Sequence, residues 1–114
     1  MVSIKDKGYL LYIIKHCKRI EEKVMDLNYE SFLNDEDTQD IVCFNIFQIG
    51  ELVKGISNEL LTKYNQAPWK DIKGMRDWVA HGYETISLEK IWKTAFSEIE
   101  PLRQYCEQIL NSKD

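Results

Sequence analysis

The strongest constraint on this chain is a stripe. Leu10, Ile13, Cys17, Ile20, Val24 and Leu27 follow one another at spacings of 3, 4, 3, 4 and 3 residues. At about 100° per residue such a series stays on one side of a helix. It does not fit the period of two that a half-buried strand requires. Lys15, Lys18, Arg19, Glu21, Glu22 and Lys23 fall off the stripe, so the segment from about Ser3 to Leu27 reads as one amphipathic helix. Tyr9, Leu11, Tyr12 and Ile14 add apolar surface beyond what one partner covers, so this helix is expected to touch several neighbours.

A second stripe closes the chain. Leu88, Trp92, Ala95, Ile99, Leu102, Cys106 and Ile109 are spaced 4-3-4-3-4-3, with Ser87 as N-cap and Glu89 in the first turn. Pro101 interrupts it, which predicts a kink or a helix in two pieces. Between the stripes, Asp37 to about Ser57 is apolar nearly all round and too long for one strand, as a central helix should be. Asp35, Glu36, Asp37 and Thr38 supply the capping chemistry for its start. Gly50 lets another backbone come close. Asn45, Gln48 and Glu51 form a polar line in this helix, readable as an exposed edge or as the lining of an interface or cleft.

The connecting pieces are short. Asn28 to Asp37 makes one or two helical turns that lid the bundle end, and Ser57 to Tyr64 makes a further short helix. Pro68 suits the first turn of a helix from Trp69 to about Gly82, with Ile72, Met75 and Val79 inward. Trp69 and Trp78 read as packing residues, and His16 as a solvated histidine on a helix surface. The expected architecture is an all-α bundle of four main helices with one or two short extras, in one domain spanning residues 1–114.

Composition narrows the function class. With 44% hydrophobic and 30% charged residues the chain is ordinary for a water-borne domain, and no apolar run approaches the length of a membrane span. The N-terminus lacks the basic-then-apolar order of a signal peptide. Cys17, Cys43 and Cys106 are odd in number and sit among apolar neighbours without C-x-x-C spacing. They read as reduced core residues of a cytoplasmic protein. The net charge of −4 does not advertise nucleic-acid binding. It is uneven, however. Leu61 to Tyr83 carries Lys63, Lys70, Lys73 and Arg76 against Asp71 and Asp77, a local +2 that leaves −6 for the remainder.

The chemistry gathers in nine residues, Met75 to Tyr83. On a helix Asp77 and His81 are i and i+4, so the carboxylate can hold the imidazole in one tautomer. Arg76 and His81 stand about 140° apart. One straight helix therefore does not aim both at one atom. Either the helix ends near Gly82, the Arg side chain reaches round, or two copies of the helix face each other. His16 and His81 lie on separate helices with no Cys or paired carboxylate to join them, so no zinc or iron set is expected, and no cofactor loop is present. A histidine near an arginine suits metal-free RNA cleavage. The imidazole takes the 2′-hydroxyl proton and the guanidinium stabilises charge growing on the phosphoryl oxygens.

Arg76, four residues, His81, one residue and Tyr83 resemble the R-x4-H-x-Y signature of HepT, a family of the HEPN superfamily. Ile49-Gly50-Glu51 resembles that family's I-G-E run, and Pro68 to Arg76 its P-W-x-x-I-x-G-M-R lead-in. The resemblance implies an all-helical homodimer with two facing motifs across a shared cleft. It further implies an RNase toxin paired with a minimal nucleotidyltransferase antitoxin of the MntA type, which neutralises it by transferring AMP to Tyr83. On this footing Arg76 and His81 are catalytic, Asp77 orients His81, and Lys70 and Lys73 contact RNA phosphates. One position departs from the pattern: relatives commonly carry Asn after the arginine, and this chain carries Asp77. A carboxylate there orients the imidazole more strongly but repels RNA phosphate. The competing expectation is a non-catalytic helical partner or nucleotide-binding subunit of such a nucleotidyltransferase.

Overall fold

The computed structural model describes residues 2–81 and 87–112. Within them the chain is helical, and no strand occurs among the described residues. The elements are α1 (Ile4–Val24), α2 (Tyr29–Leu33), α3 (Glu36–Gly55), α4 (Asn58–Lys63), α5 (Trp69–Ala80), α6 (Leu88–Lys93), a π-helical turn (Thr94–Glu98) and α7 (Ile99–Asn111).

The helices start where short polar side chains take up the first free N–H groups. Ser3 accepts from the amide of Asp6, Asp35 from Thr38, Ser57 from Leu60 and Ser87 from Lys90. Hydrogen bonds from the Thr38 hydroxyl and amide hold the Asp35 carboxyl below its ordinary range. All but Leu27 of the first stripe and all but Leu88 and Trp92 of the last one are buried, which joins α1 and α7 along their lengths. The packing order is α5, α3, α1, α7, so α3 and α1 are the two inner members. The molecule is correspondingly long and flat, 45 × 28 × 20 Å.

The break at Pro101 takes a specific form. Proline has no N–H to offer residue 97 and its ring crowds that carbonyl. The helix opens into a π turn over Thr94–Glu98, and Pro101 then sits in the first turn of α7. That turn lies beside a tilted aromatic contact: Phe32, fully buried on α2, meets the Trp92 ring at 5.2 Å, and Trp92 stacks on Phe96 at 5.0 Å. α2 is thus held by two rings, Phe32 and Tyr29, on Trp92 and by the Gln39 amide, which donates to the Phe32 and Leu33 carbonyls.

The three cysteines are free and buried. Burial raises all three thiols, Cys43 and Cys106 to about 12. No helix among the described residues is long and apolar enough to cross a membrane.

Three sequence expectations need correction. Asn45 belongs to no exposed edge: it is only 3% exposed, while its apolar neighbour Phe44 is 55% exposed. His16 is no free surface histidine either, because its Nδ1 lies 2.7 Å from Asn45 Oδ1 across the α1–α3 contact. The Asn45 amide nitrogen donates to the Ile41 carbonyl, so its oxygen faces the ring and His16 Nδ1 carries the proton. Finally, Trp69 is a packing residue at 6% exposure, whereas Trp78 is not, at 43%.

Candidate active site at the crossing of α3 and α5

The site is built on a close helix crossing. A Cβ placed on Gly50 would overlap the Cβ and Cγ of Arg76, so only glycine lets α5 lie this deep on α3. The next residue of α3, Glu51, therefore stands beside the arginine stem. Its Oε1 accepts from Arg76 Nε at 2.6 Å and lies 2.5 Å from Nη2. On the other side, Arg76 Nη1 donates to Asp77 Oδ1 at 2.9 Å. The guanidinium also lies 5.0 Å over the Phe47 ring. Hydrogen bonding to Asp77 first, and to Glu51 next, raises the guanidinium above its already high range, so it is charged at any working pH.

These contacts occupy at most three of the five N–H donors that a guanidinium carries. The group is held in place by carboxylates from two helices and still has donors to offer. It lines an open depression of about 470 Å³ with Phe44, Phe47 and Val79. The cation is thus held in one position, with its charge offset by two acids.

α5 ends at Ala80, and His81 is its C-cap, with its N–H directed to the carbonyls of Asp77 (3.1 Å) and Trp78 (3.2 Å). The helix thus ends close to the stop expected at Gly82. His81 is exposed. The expected contact between the Asp77 carboxylate and the imidazole is not what the fold makes of Asp77. Its oxygen goes to Arg76, and it meets His81 through the backbone. The physical reason is proximity of charge: a guanidinium one residue away is a stronger partner for a carboxylate than a neutral ring. Lys70 and Lys73 are exposed on α5. Tyr83 lies outside the described residues. Glu51 is the residue that sequence reasoning undervalued. The signal was present in the polar line on α3, one position after a glycine flagged for close approach.

Among the described residues no group of three or more His, Cys, Asp or Glu is arranged to hold a metal ion.

Comparison with known proteins identifies the family. A protein of Caldanaerobacter subterraneus subsp. tengcongensis, provisionally named as an RNase, is 32% identical over 107 residues, covering 94% of this chain and 96% of the relative. A "Probable ribonuclease HepT" of Thermococcus cleftensis is 32% identical over 103 residues, covering 90% of this chain and 94% of its own. A provisionally named RNase of Methanocaldococcus jannaschii is likewise 32% identical, over 91% of this chain and 90% of that protein. No solved structure matches significantly. The family model described as "Ribonuclease HepT-like" matches residues 13–109, and the chain belongs to that HepT-like family of the HEPN type.

Proposed function

We propose that this chain is a metal-independent endoribonuclease toxin that acts as a homodimer. The observation carrying the reading is Arg76, a permanently charged clamp with spare donors, fixed five residues from His81 at the end of α5 in a ribonuclease-type family. His81 takes the proton of a ribose 2′-hydroxyl, the 2′-oxygen attacks the adjacent phosphorus, and Arg76 neutralises the charge that builds on the phosphoryl oxygens. The 5′-oxygen leaves with a proton from the imidazole of the second copy, and a 2′,3′-cyclic phosphate remains. Asp77 holds the guanidinium, and Lys70 and Lys73 meet flanking phosphates. The partner is a minimal nucleotidyltransferase antitoxin of the MntA type that transfers AMP to Tyr83. Phosphate added there would compete for Arg76 and repel RNA.

One observation favours a second reading, a non-catalytic helical partner of the nucleotidyltransferase. The carboxylates of Glu51 and Asp77, set against Arg76 and against Lys54 at 3.7 Å from Glu51, leave this neighbourhood with no net positive charge for RNA. RNA cleavage in EDTA separates the two. The wild type cuts, and His81→Ala and Arg76→Ala each lose about a hundredfold or more in rate. Activity surviving either substitution rejects the mechanism, and no cleavage at all leaves the partner reading. In the same preparation light scattering should report two chains. Incubation with the cognate nucleotidyltransferase and ATP should add AMP to the Tyr83 peptide, and modification that persists in Tyr83→Phe refutes that assignment.

A further inference from the structure

We propose that the groove between α5 and α6 seats a nucleotide of single-stranded RNA beside the scissile bond, its base stacked on the Trp78 ring. This rests on the ribonuclease reading above and extends the site by one helical turn.

An indole is large and apolar, and leaving it 43% exposed is unusual. Among the described residues no aromatic ring meets Trp78. What covers it is the ammonium of Lys90, 3.4 Å from the ring centroid. A lysine head is strongly hydrated and its stem flexible, so it leaves at small cost when something flatter arrives. A nucleobase is that object, and the displaced ammonium is then free to meet the phosphate of the same nucleotide.

The groove around the ring has the room, about 630 Å³. Its floor on α5 is Gly74, one turn before Trp78, where a side chain would meet nothing within 4 Å. Lys93, one turn after Lys90, and Lys70 line the same groove. Trp78 is also joined to the site. His81, three residues on, donates its N–H to the Trp78 carbonyl at 3.2 Å. The two side chains are offset by only about 60° around the helix. A base on Trp78 therefore belongs to the nucleotide next to the one whose 2′-hydroxyl His81 addresses.

The charges decide what kind of binding this is. Lys70, Lys90 and Lys93 are matched in the same groove by Asp71, Glu89 and Glu98. A neutral groove does not bind by phosphate attraction, so stacking must supply the affinity. That favours unpaired bases, whose faces are available, over a duplex, whose faces are not. It also limits the salt dependence. With about two phosphates met, the slope of log K on log salt is roughly −1.4.

The test uses the full chain in the His81→Ala background, where RNA stays intact, and follows anisotropy of a labelled single strand of about 12 nucleotides. Adding Trp78→Leu should weaken binding about tenfold or more, and Trp78→Phe should stay within about threefold because it keeps an aromatic face. A blunt duplex of the same length should bind more weakly than the single strand. Unchanged helical circular dichroism in the variants keeps the comparison about the ring. Binding within twofold of the parent for Trp78→Leu, equal binding of the duplex, or no RNA binding at all overturns the proposal. The two readings fail separately. Cleavage by the wild type that Trp78→Leu retains in full removes the groove and leaves the ribonuclease. Trp78-dependent binding without cleavage by the wild type keeps the groove and removes the ribonuclease.

Discussion

Two arginines in this molecule are each held by two carboxylates, and they do different things. Arg103 on α7 meets Glu21 of α1 fork to fork, Nε on Oε2 at 2.7 Å and Nη2 on Oε1 at 3.1 Å, and Glu107 one turn along takes Nη1 at 2.7 Å. Both Glu21 oxygens are used, and the group ties two helices that already share a core. Arg76 on α5 leans on a single oxygen of Glu51 and a single oxygen of its neighbour Asp77, beside an open depression and over one aromatic ring. Arg103 also borders a depression, of about 680 Å³, and keeps donors to spare, so what differs is the two-oxygen fork to Glu21 against the single-oxygen contacts and the Phe47 ring at Arg76. Similar ion pairs therefore serve a helix contact in one place and a candidate site in the other.

The comparison can be broken at either end. The largest expected effect is on RNA cleavage: Arg76→Ala should lose about a hundredfold or more, while Arg103→Ala keeps the wild-type rate. Equal losses would mean that both arginines act only through folding. Next comes the crossing that places Arg76. Gly50→Ala gains helix propensity, yet its methyl group overlaps the Arg76 stem. Denaturant unfolding should show a net loss of about 1–3 kcal/mol. Unchanged stability would show that α5 can lift away at no cost. For Arg103→Ala the expected loss is smaller, about 1 kcal/mol, a shift in Tm of roughly 4 °C. An unaltered melting curve would mean that the fork is ornamental.

The smallest effect is acid-dependent and lies at the start of α3. Asp35 is depressed by its hydrogen bonds to Thr38, so it stabilises the fold above its unfolded pKa of about 3.8. The contribution is lost as pH falls through the lower folded value. Asp35→Ala should melt a few degrees below wild type at neutral pH, and the gap should close in acid. A gap that persists at low pH would assign the effect to shape and not to charge.

The local features of this fold were readable in advance because they depend on neighbours in sequence. Asp35 and Ser87 cap the helices they precede, since a short polar side chain reaches only the amides of the next turn. The break near Pro101 was equally legible, though not its form as a π turn upstream of the proline. Asp6 shows the limit. It occupies the first turn of α1 as a helix-start acid should. Its carboxylate nevertheless takes the amide and hydroxyl of Ser57, at 3.0 and 2.6 Å, 51 residues away.

The candidate site divides along the same line. Residue types and spacing alone determined that Arg76 lies on a helix with His81 at or near its end, that Gly50 marks a close approach, and that the chain resembles the HepT family. Only the tertiary structure decided which carboxylate serves which cation. Asp77 turns to Arg76, Glu51 arrives from a helix 25 positions earlier, Asn45 is buried against His16, and Trp78 faces an open groove under Lys90. Periodicity reports the side of a helix on which a residue lies. Which neighbour that side meets is set by the depth and angle at which two helices cross, and here a missing methyl group at Gly50 sets the depth.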